Sequence, residues 1–198
     1  WIAWRAGVPV RRGTTGQFRR WLINDPVSLV AFENRHQQYE GFHLFGLVPE
    51  TPPRAPRLTL PPEAARTAAA QARLDPACRY VALLPGAARG DSKRWPGESF
   101  AAAAQQVAGH LPALRFLVCG TPAEAEVCAA VAAAIGAEAA NLAGQTRLPA
   151  LAALLSQCAA VCCNDSGGMH LAAAVDVPVV AVFGLTDPAR TESPAARP

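Results

Sequence analysis

A chain of 198 residues, 51% of them hydrophobic, has enough apolar side chains for one well-buried domain and a remnant of another. A formal net charge of +3, with Lys and Arg scattered along the chain, is too small to argue for a nucleic-acid groove or a polybasic membrane patch and is compatible with acidic small molecules as partners. The longest apolar candidate, residues 171–184, is broken by Asp176 and Pro178 before it reaches the roughly 18 residues that cross a bilayer.

In chain order, WIAWRAG reads as a helix end closed by Gly7, VPVRRG as a short strand and HQQYEGFHLFG as a short helix, too little to close a domain. The proline-dense VPETPPRAPRLTLPP, residues 48–62, disfavours helix and sheet interiors and reads as an extended linker. PPEAARTAAAQARL is a helix. Strand and helix signals then alternate. RYVALLPG is a strand, followed by a helix with Phe100, Ala104, Val107 and Leu111 on one face; RFLVCG is a second strand, followed by a helix carrying Val127, Val131 and Ile135. LPALAALLSQCA is a helix, AAVCCN a third strand, GGMHLAAAV a helix and VPVVAVFG a fourth strand. Near-continuous apolar strands separated by helices predict an α/β fold, a parallel sheet covered on both faces. The expected boundaries are 1–47 for a remnant of a first domain, 48–76 for linker and helix, and 77–198 for the sheet domain.

The cysteines at 78, 119, 128, 158, 162 and 163 form no CxxC pair and have no His at zinc-finger spacing, so they read as small buried hydrophobes of a reducing compartment. The chain starts at Trp1, without a signal-peptide pattern, which suggests a beginning inside a larger protein.

Polar and glycine-containing segments follow the strands: PGAARGDSK, CGTPAE, CNDSGG and FGLTDP. In open α/β sheets, ligands bind at the carboxyl ends of the strands, so these loops should converge on one crevice. Within NDSGGMH, the small Ser166, Gly167 and Gly168 expose backbone N–H groups at a helix start and suit a phosphate. An ordinary turn with Asp165 or Ser166 as N-cap fits equally. Lys93, beside Arg94, has the charge to stabilise a departing diphosphate, or belongs to a solvated basic loop. Trp95 reads as a packing anchor rather than a base platform, and Pro96 suits a first helical turn. Glu124 is either a ribose-binding carboxylate or a helix-dipole residue. His170 lies near the phosphates or supports the loop. HExxH, GxSxG, Walker A and GxGxxG are absent, and no clustered carboxylates call for a metal.

Taken together, WRAGVPVRRG, PGAARGDSKRWPGESFA, LVCGTPAEAE, NLAGQTRL and NDSGGMHLAAAVDVPVVAVFGLTDP resemble glycosyltransferase family 9, the ADP-heptose transferases of lipopolysaccharide assembly, and within it the branch acting on an existing heptose. The resemblance implies a GT-B architecture of two Rossmann-like domains, the acceptor held by the first and the nucleotide sugar by the second. It implies inverting transfer from ADP-heptose to the lipopolysaccharide inner core, with no cofactor, no nucleic acid partner, and at most peripheral contact at the cytoplasmic face of the inner membrane. By the family pattern Ala87 and Ala88 lie at the phosphate-proximal loop, Lys93 at the phosphates, Glu124 at the ribose and Thr146 near the base. Asp165, Ser166, Gly167, Gly168 and His170 match the diphosphate and sugar loop. Where the family often has hydroxyls, Ala87 and Ala88 leave only backbone N–H groups to the phosphates. The family's acidic base belongs to an amino-terminal segment that does not appear here, and its closing carboxy-terminal helix is not seen after Arg197 and Pro198. The expectation is therefore a chain that binds ADP without turnover. The alternatives are a nucleotide-sugar epimerase of similar two-domain fold and an ADP-binding module.

Overall fold

The computed structural model describes residues 1–30, 35–47, 56–87 and 91–191. The chain forms two units, one of Trp1–Pro53 with Pro188–Thr191 and one comprising Arg54–Asp187. In the first unit, α1 (Ile2–Arg5) ends as expected, with Gly7 at φ +68°, a left-handed turn that glycine adopts without a Cβ penalty. The strand read in VPVRRG is β1 (Arg12–Gly13), which pairs in parallel with β2 (Asp25–Pro26). The helix α2 (Gln37–Leu44) is joined through Glu40 to Arg190, 2.8 Å away in the helical turn Pro188–Thr191. Among the described residues of this unit, none is fully buried.

The second unit holds the core. After α3 (Pro62–Gln71) come β3 (Arg79–Leu84), α4 (Gly97–Ala108), β4 (Leu114–Val118), α5 (Ala125–Ile135), β5 (Ala139–Asn141), α6 (Leu148–Leu155), β6 (Ala160–Asn164), α7 (Gly167–Ala174) and β7 (Val179–Val182). The strands run in the order β5-β4-β3-β6-β7, every neighbouring pair parallel. The alternation of side chains along a strand divides the core in two. Leu83, Phe116 and Val118 pack with Phe100, Ala101, Val131 and Ile135 of α4 and α5. Ala82, Leu84 and Leu117 pack with Leu154, Met169 and Ala172 of α6 and α7, and with Ala68 of α3. The expected α/β sheet with helices on both faces is present.

Two details differ from the sequence reading. The sheet has a further strand, β5, whose three residues Ala-Ala-Asn offer none of the β-branched bulk that marks a strand. On α4, Phe100 and Ala104 are buried, but Val107 and Leu111 are 44% and 48% exposed. The helix stops at Ala108, so Leu111 leaves the stripe, and in the last turn Ala108 rather than Val107 meets the core. All six cysteines are free thiols; Cys119, Cys128, Cys158 and Cys163 are buried and Cys78 and Cys162 half-buried. Burial pushes the Cys119, Cys158 and Cys163 thiols up to about 12, which suits packing rather than reactivity.

The strand order fixes where a site can form. The chain moves outward from β3 through β4 to β5, then returns to lay β6 on the other side of β3. The order reverses between β3 and β6, the position at which open α/β sheets bind ligands beyond the carboxyl ends of the strands. A Cβ on Gly168 would fall 2.4 Å from Leu84 Cδ2, so this glycine lets α7 approach β3 closely at that point.

Candidate functional site

Asn164, the last residue of β6, is fully buried at the reversal. Its Nδ2 donates to the carbonyls of Pro85 at 2.8 Å and Gly86 at 3.3 Å, while its Oδ1 accepts from the Trp95 N–H at 2.9 Å. One side chain thus ties both ends of the loop after β3 to the end of β6. Trp95 then packs edge-on against Phe100, ring centroids 5.0 Å apart, as an anchor.

Lys93 ends a short 3-10 turn, Asp91–Lys93, in that loop. Its Nζ donates to Asp165 Oδ2 at 2.5 Å, and Thr186 Oγ1, from the loop after β7, donates to the same oxygen at 2.6 Å. The side chains are 19% exposed for Lys93 and 7% for Asp165, so the pair is largely removed from water. Burial alone would raise the Asp165 carboxyl, but the hydrogen bonds from Lys93 and Thr186, with the charges of Lys93 and His170, outweigh it and hold the group below its ordinary value.

A carboxyl lowered by folding stabilises the protein above its unfolded value, and that contribution disappears as pH falls through the folded value. The melting-temperature gap between the parent and Asp165→Asn is therefore expected to be largest near neutrality and to shrink below about pH 4. A gap that stays constant across that range would exclude a charged Asp165 as its source.

The other candidates occupy distinct parts of the same sheet edge. Ser166 is the N-cap residue of α7 but makes no side-chain cap hydrogen bond, and Asp165 is engaged with Lys93 and Thr186. Neither residue uses its side chain to cap the helix; the Met169 N–H donates to the Ser166 carbonyl at 3.1 Å, and the N–H groups of Gly167 and Gly168 are left for an anion. A Cβ on Gly167 would meet nothing within 4 Å, which puts open space in front of that turn. His170 is exposed on the same helix, near enough for its charge to act on Asp165. Ala87 is buried, and its carbonyl accepts from Arg94 at 3.2 Å. Ala88 lies outside the described residues.

Glu124, after β4, closes a capping box: its Oε2 accepts from the Thr121 N–H at 2.7 Å and the Thr121 hydroxyl at 2.8 Å. Its Oε1 lies over Gly86, where a Cβ would fall 2.0 Å away, so this carboxylate leans onto the loop after β3. Thr146 follows β5 and lines a recess of about 50 Å³ with Ala68, Gln71, Leu142 and Leu154. The structure therefore joins Lys93, Asp165 and the α7 turn directly, sets Glu124 against the neighbouring loop, and keeps Thr146 apart at the sheet's edge. Sequence reasoning gave no individual role to Asn164 or Thr186. Their signal was position alone, polar residues directly after apolar strands.

Comparison with known proteins gives a consistent result. The family model described as glycosyltransferase family 9 (heptosyltransferase) matches residues 1–197. Lipooligosaccharide heptosyltransferase 2 of Haemophilus influenzae is 31% identical over 201 residues, covering 96% of this chain and 58% of that protein. Lipopolysaccharide heptosyltransferase 2 of Escherichia coli is 30% identical, covering 92% of this chain and 56% of that protein. Among solved structures, that of E. coli ADP-heptose lps heptosyltransferase II matches with a TM-score of 0.79 and 27% identity, covering 97% of this chain and 61% of that one. The chain thus spans less than two thirds of the length of these relatives.

Proposed function

Because the chain belongs to glycosyltransferase family 9, we propose that its sheet unit is the donor-side half of a sugar-nucleotide transferase and that the whole protein transfers heptose from ADP-heptose to the lipopolysaccharide inner core with inversion. The observation that carries this reading is Lys93, held at the strand-order reversal beside the uncapped first turn of α7. A cation and a helix N-terminus facing one crevice suit a diphosphate, and the same charges stabilise the negative charge that grows as the sugar–phosphate bond breaks. Strands lie about 4.8 Å apart, so the edge from β6 to β5 extends about 14 Å. Along it the phosphates would lie at Lys93 and 165–168, the ribose at Glu124 and the base near Thr146. His170 and the backbone of Ala87 and Ala88 would border the phosphates. The family match favours transfer over epimerisation.

The acceptor hydroxyl needs a base, and the two carboxylates of this half-site are engaged, Asp165 with Lys93 and Thr186, Glu124 with Thr121. We therefore assign the base to the acceptor side of the whole protein and expect this chain to bind ADP without transferring sugar. Membrane contact in this reading is peripheral, on the cytoplasmic side; among the described residues no helix is long and apolar enough to cross a bilayer.

Calorimetry with ADP tests the half-site. Binding is expected to be unchanged in excess chelator, because a lysine and a helix terminus serve the phosphates, and a tenfold drop would show that a metal takes part. The whole protein, given ADP-heptose and a heptose-terminated acceptor, should release ADP and lengthen the glycan.

Glu124 has its own test. In Gly86→Ala the new methyl group displaces the Glu124 carboxylate while its charge remains. ADP affinity should fall about tenfold to a hundredfold, the value of a hydrogen bond to a charged group, with pyrophosphate binding unaffected. Equal losses for both ligands would remove Glu124 from the ribose.

A further inference from the structure

We propose that Thr186 is a positioning residue for Lys93, acting through Asp165 to keep the lysine ammonium available to a diphosphate; this rests on the nucleotide reading of the site. Asp165 Oδ2 receives two donors, Lys93 Nζ at 2.5 Å and Thr186 Oγ1 at 2.6 Å. A carboxylate paired only with a lysine in a largely dry pocket would hold that cation as a closed ion pair, in direct competition with an incoming phosphate. The threonine hydroxyl draws on the electron density of the same oxygen and fixes the carboxylate's orientation. Lys93 uses one of its three N–H groups on this bond, which leaves the other two for a ligand. The charged groups acting on Asp165 are Lys93 from the loop after β3 and His170 from α7, both cationic when protonated, so the hydroxyl is the neutral donor of the set.

A second observation concerns the backbone of the same loop. A Cβ on Gly184 would lie 3.1 Å from the Ser92 carbonyl, tighter than an ordinary contact. The loop after β7 therefore runs close beside the turn that carries Lys93 while its Thr186 hydroxyl donates to the lysine's partner.

The test uses this chain with ADP and adenosine as calorimetric probes and compares Thr186→Val, Thr186→Ser and Lys93→Ala. Thr186→Val nearly preserves side-chain volume but deletes the donor. It is expected to weaken ADP binding about threefold to tenfold, leave adenosine binding unchanged, and raise the pH below which protonation of Asp165 frees Lys93 and ADP binding recovers, as Asp165 loses a hydrogen bond. Thr186→Ser should restore both affinity and pH profile, which a packing role for the methyl group would not allow. Parental ADP affinity and pH profile in Thr186→Val, with Lys93→Ala still impaired, would overturn the proposal. Parental ADP affinity in Lys93→Ala would overturn the phosphate reading of Lys93 and this proposal with it.

Discussion

Asn164→Ala is expected to be among the most destabilising single substitutions in the sheet unit, lowering stability by about 3–5 kcal/mol. Alanine leaves the carbonyls of Pro85 and Gly86 and the N–H of Trp95 without their partner at a position shielded from water. Each stranded group costs about 1–3 kcal/mol, partly relieved by relaxation. For a chain of this size 1 kcal/mol shifts the melting temperature by about 2–4 °C, so a drop near 10 °C is expected in a circular-dichroism melt. Asn164→Asp should do no better, because a carboxylate cannot donate to the two carbonyls. A variant melting within a degree or two of the parent would remove Asn164 as the tie between the loops.

A large effect on ligand binding is expected from Lys93→Ala, with ADP affinity falling about tenfold to a hundredfold and adenosine affinity hardly changed. The charge aimed at the phosphates is worth about 1.5–3 kcal/mol in such a bond. The substitution also strands the Asp165 carboxylate in a largely dry setting, with only Thr186 still bonded to it among the contacts described. A lower melting temperature is therefore expected alongside the weaker binding, and the two are separable. Lys93→Ala/Asp165→Asn should recover stability, since no charge is left unpaired, without recovering ADP affinity. Equal losses for ADP and adenosine would place Lys93 away from the phosphates.

Fold and site were legible in the sequence to different depths. The apolar strands β3, β4 and β6 announced themselves because a strand buried on both faces needs continuous hydrophobicity; β7 was marked by its valines although it is an edge strand with Val180 exposed, and the loops after all four were recognisable by glycine and polar content. Ala139–Asn141 was not legible, since a short edge strand needs little more than backbone to pair. On α4, the alanine-rich sequence gave little contrast around the helix, and the face assigned to Val107 and Leu111 is solvent-exposed in part. Most of the linker reading, at 48–55, lies outside the described residues. In the site, residue types suggested Lys93 and the 165–168 loop separately. That the lysine and the aspartate are each other's partners depends on strand order, which local periodicity does not encode. Thr186 was hidden for the same reason: its role is defined by an oxygen on another strand's loop.

The reversal of strand order also sets a sequence of events in folding. β3, β4 and β5 come from consecutive stretches of chain joined by α4 and α5, whereas β6 pairs with β3 only after both crossovers are made. The bonds that tie the loop after β3 to the end of β6 join residues 69 to 79 positions apart, Trp95 to Asn164 and Pro85 to Asn164 among them. Contacts of such separation form only after a large loss of chain entropy, and during synthesis amino-terminal parts order first. The half-sheet β5-β4-β3 can therefore acquire protection against amide exchange while the site between β3 and β6 does not yet exist. A nascent chain halted before residue 160 would carry Lys93 with no Asp165 or Thr186 to steady it, and ligand capture would begin only when β6 and the loop after β7 have left the ribosome.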